Sequence, residues 1–290
     1  KAFAGVMAVY FALGLGVNAG RLMYDKQVRR ASDYQMLNSN IGFCHNGGRE
    51  QDCILGEKSK AVTVLAVGDS HTMHFNIFYD LVGKNEGWSA YVSSVSSCPF
   101  LYNTDTLHKV VVQYNLSKEC LEMRRQAERD LDKYQVVILS NRWQQRMEED
   151  NFVQNFEKTL QILLNRNKTI YVLRDNPNAG QNIRRKLYLQ SMGIVLPLSE
   201  RQKKIQQETE KANQIIYGIV RKYPQVHWID FTDLVPENFT SRGFPIYLDT
   251  DHFNGFGSEF IARRFISSGR HLLVSPSDNQ PKANQQQNKQ

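Results

Sequence analysis

The apolar run Val64-Leu65-Ala66-Val67 stops at Gly68-Asp69-Ser70, and a helix-like pattern opens at His71. A β-branched run halted by glycine and followed at once by a helix is the first half of a strand-helix unit, and the unit repeats along the chain. Strands are expected over 62–67, 89–95, 136–139, 169–173 and 226–229. Helices are expected over 71–84, 118–133, 150–165, 200–222 and 255–268. Short β-branched strands separated by amphipathic helices predict an α/β fold: three layers, α/β/α, around a central, mostly parallel, five-stranded sheet. Sites in such sheets lie beyond the carboxyl ends of the strands.

Two segments carry chemistry to that edge. Ser70 follows the first strand directly, on a turn that holds a hydroxyl clear of the sheet beside backbone N–H groups that open a helix. Near the far end, Tyr247-Leu248-Asp249-Thr250-Asp251-His252-Phe253 places Asp249 and His252 three residues apart. One short loop thus offers a general base and a carboxylate to orient it. Asp251 adjoins His252, but neighbouring side chains in a turn usually diverge, so Asp249 is the preferred partner. The bland alternative is that Ser70 caps a helix and His252 is an ordinary loop histidine. His71 and His74 share a helix face without a third ligand at metal-site spacing, so no metal is expected.

The 290 residues carry a formal net charge of +7, yet the Lys and Arg residues are scattered and no nucleic-acid motif accompanies them. No nucleic-acid partner is expected; a basic surface equally suits an acidic glycan or anionic lipid. Residues 2–19 contain no charge, which predicts the end of a membrane-spanning segment over 1–20. Because the chain begins with Lys rather than Met, that segment is read as the cut-off end of a larger membrane protein. A connector with a cysteine loop is expected over 21–56, the catalytic domain over 57–272 and a disordered Pro-, Asn- and Gln-rich tail over 273–290. Four cysteines allow three pairings, of which Cys44–Cys53 with Cys98–Cys120 is the simplest. Such bridges imply an oxidising compartment outside the cytoplasmic membrane.

With Gly68-Asp69-Ser70-His71 early and Asp249-x-x-His252 late, the chain resembles the SGNH (GDSL-like) hydrolase superfamily, whose sheet is flavodoxin-like. The paired Cys44 and Cys53, the Ser97-Cys98-Pro99 stretch with Cys120, and Arg142-Trp143 narrow the resemblance, over about residues 41–270, to one subgroup. That subgroup is the extracytoplasmic SGNH domain fused behind the membrane domain of acyltransferase 3 proteins, which O-acetylate bacterial surface polysaccharides such as lipopolysaccharide O-antigen. The resemblance implies Ser70 as nucleophile, His252 as base and Asp249 as the carboxylate that fixes the imidazole.

For the oxyanion hole it implies the Ser70 N–H and the side chain of Asn141, which stands in Ser140-Asn141-Arg142-Trp143 where the family has a Gly-x-Asn-Asp block. Ser97 or a neighbour would replace the family's glycine. Arg142 and Trp143 are candidates for holding a sugar, by hydrogen bonding and by stacking. The implied setting is the bacterial inner membrane with this domain in the periplasm, fused to or associated with an acyltransferase 3 membrane domain. No cofactor would bind directly, the acetyl group deriving indirectly from acetyl-CoA. The expected function is O-acyl transfer, acetyl being the expected group, to a polysaccharide hydroxyl. An O-acetyl esterase with the same triad and a non-catalytic glycan-binding domain are the alternatives.

Overall fold

Strand β2 (Val62–Gly68) runs through the middle of the molecule, with Val64 to Val67 wholly buried. The computed structural model describes residues 19, 44–47, 53–107 and 109–273. With β1 (Ile54–Gly56), β3 (Ser89–Ser94), β4 (Val136–Ser140), β5 (Thr169–Leu173) and β6 (Val226–Ile229), it forms a sheet ordered β1-β3-β2-β4-β5-β6. All pairings are parallel except β1 with β3. Consecutive residues of β2, β4 and β5 are buried, so both faces are covered. Because β3 and β4 lie on opposite sides of β2, the connections reverse direction there. A crevice opens at the carboxyl ends of β2 and β4.

The expected five strands are present, and the sheet gains a sixth. Three-residue β1 lies where a Gly- and Cys-bearing loop is expected; a segment that short carries no readable alternation, and only its pairing with Tyr91, Ala90 and Ser89 makes it a strand. The helix expected over 71–84 is divided into α1 (Ser70–Met73) and α2 (Asn76–Glu86). The interruption lets His74, Phe75 and Asn76, three successive residues, all be buried, which one straight helix on a sheet does not allow.

The remaining helices are α3 (Lys109–Gln113), α4 (Ser117–Asp130), α5 (Trp143–Arg146), α6 (Phe152–Asn165), α7 (Ile183–Ser191), α8 (Glu200–Val220) and α9 (Gly255–Ser267). Helix α9 packs on α2; between them Phe78 meets Phe75, Phe231 and Phe265 edge to face, Phe231 meets Phe265 the same way, and Phe75 lies tilted against Phe231. Each such buried ring contributes about 1.5–3 kcal/mol. A disulfide joins Cys98 to Cys120 and fastens the loop after β3 to α4. Cys44 and Cys53 are buried and line one cavity with Tyr91 and Met123.

The membrane segment expected over 1–20, the connector up to residue 43 and the tail from 274 lie outside the described residues, apart from residue 19. No helix among the described residues is long and apolar enough to cross a membrane.

Candidate active site

Close packing makes the turn after β2. A Cβ on Gly68 would overlap the Ser140 carbonyl oxygen and stand 2.6 Å from Thr72 Oγ1, so only glycine lets β2 end against β4 here. Asp69, buried, then caps α1: its Oδ1 accepts from the His71 N–H at 2.9 Å. The same carboxylate accepts from the Arg142 N–H at 3.1 Å, while the Asp69 N–H donates to Asn141 Oδ1 at 3.1 Å. The two turns at the end of β2 and β4 are therefore locked together with Ser70 at their rim.

The loop bearing Asp249 and His252 is closed by a bridge between Tyr247 and Phe253 and by the Leu248 N–H donating to the His252 carbonyl at 2.8 Å. Asn254 caps α9 through the Gly257 N–H and donates to the Pro245 carbonyl, fixing where the loop ends. This brings His252 Nε2 to 2.8 Å from Ser70 Oγ, across 182 residues of sequence. On the other side of the ring, Nδ1 lies 2.8 Å from Asp249 Oδ2. Asp249 Oδ1 accepts from the N–H groups of Asp251 and His252, so the carboxylate is held by its own turn.

Asp251 does not diverge. Its Oδ1 is 3.2 Å from the same Nδ1, and its Oδ2 is 2.8 Å from Arg142 Nη2. Burial works against the imidazolium of His252, but hydrogen bonds and charge from Asp249 and Asp251 outweigh it and push the ring up to about 10. Burial likewise opposes ionisation of Asp249, and the His252 hydrogen bond and charge prevail, holding the carboxyl well below the usual carboxylate range. The arrangement can take a proton from Ser70 and stabilise the imidazolium formed.

Asn141 is buried, and because its carbonyl oxygen is engaged by Asp69 the NH2 end is the one left to serve as donor. Ser97 has φ 57°, the left-handed backbone that a glycine would adopt without cost, and its loop is pinned to the turn by the Val95 N–H donating to the Gly68 carbonyl at 3.2 Å. Arg142 reaches the histidine loop through Asp251 and lines a groove of about 370 Å³ with Gln144, Gln145, Arg201, Lys204 and Glu208. Trp143 corrects the sequence expectation. It is fully buried against Phe152 and Phe156, with its indole N–H donating to the Leu173 carbonyl, and cannot stack on a sugar.

Residues without an expected catalytic role support the site. His71 Nδ1 lies 2.6 Å from Asp175 Oδ1, both buried, and its ring meets that of His252 edge-on at 4.7 Å. Asn176 donates to the Asp251 carbonyl at 2.6 Å, and the Ala179 N–H donates to the Thr250 carbonyl at 2.8 Å. The signal was the polar run Arg174-Asp175-Asn176 directly after a strand. His71, Asp251 and His252 also offer ligand atoms within 4.8 Å of one another; a metal drawing on His252 would compete with its bonds to Asp249 and Ser70.

Among solved structures, the chain is similar to the lipopolysaccharide acetyltransferase periplasmic domain of Salmonella ser. Paratyphi A, at 14% identity and a TM-score of 0.50, over 82% of this chain and 97% of that one. It is less similar to a GDSL-like lipase from Bacteroides thetaiotaomicron (13%, TM-score 0.43, 73% and 91% covered). The C-terminal catalytic domain of a Streptococcus pneumoniae peptidoglycan O-acetyltransferase follows (12%, TM-score 0.39, 72% and 92% covered). At these identities the likeness is one of fold, and the first carries it. No curated protein sequence matches. The model of the SGNH domain fused to AT3 domains matches residues 40–267, and the chain belongs to that family.

Proposed function

We propose that the chain is the acyl-transferring module of an O-acyltransferase, passing an acetyl group through Ser70 to a hydroxyl of a bacterial surface polysaccharide of the lipopolysaccharide O-antigen type. One observation carries this reading: Ser70 Oγ, His252 Nε2, His252 Nδ1 and Asp249 Oδ2 form a continuous relay of 2.8 Å contacts at the crevice. Membership of a family fused to AT3 domains supports it, since such a partner would bring the acyl group across the inner membrane to a periplasmic domain.

In the first half-reaction Ser70 Oγ attacks the acyl carbonyl while His252 Nε2 takes its proton. The Ser70 N–H and Asn141 NH2 would bind the oxyanion. The tetrahedral intermediate collapses, the carbonyl–donor bond breaks, and the imidazolium protonates the departing group. In the second half, neutral His252 takes the proton of the sugar hydroxyl, the new ester forms, and Ser70 leaves with that proton restored. Asp249 orients the ring throughout, with Asp251 sharing the charge. The acceptor approaches along the groove of Arg142, Gln144 and Arg201, whose planar polar groups suit hydroxyls.

The test is to incubate the protein with an activated labelled acetyl ester, with and without acceptor oligosaccharide. Label should enter the oligosaccharide and be lost in Ser70→Ala. Label found only as free acetate would make the protein an esterase, and transfer that persists in Ser70→Ala would remove Ser70 from the mechanism.

A further inference from the structure

Helix α8 lines two separate grooves. Arg201, Lys204 and Glu208 face the one beside Arg142, whereas Glu210, Gln214 and Tyr217 face another, against β6. Positions 201, 204 and 208 each have a counterpart nine residues further on, at 210, 213 and 217. At about 100° per residue a nine-residue step is about two and a half turns, so the two sets occupy opposite sides of the helix.

We propose that this second groove is a saccharide-binding site that anchors the polymer away from Ser70. The proposal rests on the polysaccharide reading above for the class of polymer. The groove encloses about 320 Å³ and carries an aromatic pair, Tyr217 and Trp228, with ring centroids 5.6 Å apart. Tyr217 is 47% exposed and Trp228 is partly exposed. Among the described residues neither the Tyr217 hydroxyl nor the Trp228 indole N–H has a hydrogen-bond partner.

The polar walls are already ordered. Arg174 bonds Thr232 and Glu210 and lies 3.5 Å from Asp230. Asn213 is fixed at both ends of its amide, accepting from the Asp175 N–H and donating to the Asp175 carbonyl, each at 3.0 Å. Little side-chain freedom remains to be lost on binding.

This chemistry selects a sugar. A pyranose presents C–H groups on a face, which suit the negative face of an aromatic ring, and hydroxyls at its edge, which both donate and accept. Here the rings sit beside a guanidinium, two amides and two carboxylates. A phosphate would meet Glu210 and Asp230, and an acyl chain would meet charged or amide groups along most of the lining. Both strand ends, of β5 and β6, open at the sheet edge that carries Ser70, so a long chain seated here keeps other repeats near the nucleophile. Its benefit is effective concentration.

Tryptophan emission reads this site selectively, because Trp88 and Trp143 are buried and Trp228 stands in the groove. The full chain is titrated with lipid-free polysaccharide released from the surface of the producing bacterium. A saturable change in emission is expected, with binding about tenfold weaker in Tyr217→Ala and in Gln214→Ala at unchanged melting temperature. No saturable change up to the solubility limit, or native affinity in both folded variants, overturns the proposal. So does a response to an extended peptide alone, which would assign the groove to strand pairing at the β6 edge. The titration does not depend on turnover, so it can fail while the Ser70→Ala comparison stands, and the reverse.

Discussion

Arg142 Nη2 lies 2.8 Å from Asp251 Oδ2, tying the turn after β4 to the loop that carries His252. Asp251 is buried while Arg142 is partly exposed, so the pair straddles the edge of the crevice. Burial would push the Asp251 carboxyl up, but hydrogen bonding to His252 and nearby positive charge, Arg142 included, hold it below its ordinary value.

Replacing Arg142 by Gln therefore leaves a buried carboxylate with less compensation. A stability loss of about 1–2 kcal/mol is expected, the exposure of the arginine discounting the cost of breaking a fully buried pair. Chemical denaturation checks it. Acceptor KM should rise as well, since the same guanidinium lines the groove proposed for the acceptor.

Asp249 and Asp251 both act on Nδ1 of His252, which predicts redundancy. A triad aspartate replaced by asparagine typically costs about 10⁴-fold in kcat, whereas Asp249→Asn here should cost about 10²–10³-fold because Asp251 remains 3.2 Å away. The double replacement should approach the full loss. The pH profile gives the sign. Both carboxylates raise the imidazole, so wild-type ester turnover should still be climbing well above pH 6.5, and Asp249→Asn should move that rise to lower pH. A rise that does not move would mean that Asp249 does not govern the proton.

Gly68→Ala tests the turn. The added methyl would overlap the Ser140 carbonyl and crowd Asn141 Oδ1, at 2.9 Å, so relaxation must separate β2 from β4. A loss of about 3 kcal/mol, read from the urea midpoint, is expected together with loss of activity.

The central strands β2, β4 and β5 were readable because each is a largely aliphatic run, buried on both faces and bounded by polar turns; β1 was not, because a three-residue segment owes its state to its neighbour β3. Ser70, Asp249 and His252 were readable because the histidine and its carboxylate are local and the serine follows a strand directly. The support of that loop was hidden. His71 finds Asp175 across 104 residues, and no spacing announces such a meeting. Trp143 shows the limit from the other side: its place after β4 was legible, but whether its ring faced crevice or core depended on Phe152 and Phe156 on a later helix.

His74 sets a distinct dependence of stability on pH. It is fully buried, its ring nitrogens have no hydrogen-bond partner among the described residues, and it packs edge-on against Phe75 and Phe253. Burial holds it well below the ordinary 6.5, with the neighbouring His71 and His252 acting the same way and Asp249 opposing them. The folded protein therefore keeps this ring neutral while the unfolded chain binds a proton near pH 6.5. Stability from this group is present above that pH and is lost as the pH falls below it, at up to about 1.4 kcal/mol per pH unit. His252 works in the opposite sense and in another window: its raised value favours the fold below 6.5, and that contribution disappears as the pH rises towards about 10. Replacing His74 by Phe, which suits the aromatic surroundings, should flatten the fall in urea midpoint between pH 7 and pH 5 while leaving the alkaline limb in place. An unchanged acid slope in a folded His74→Phe protein would assign the acid sensitivity to other groups.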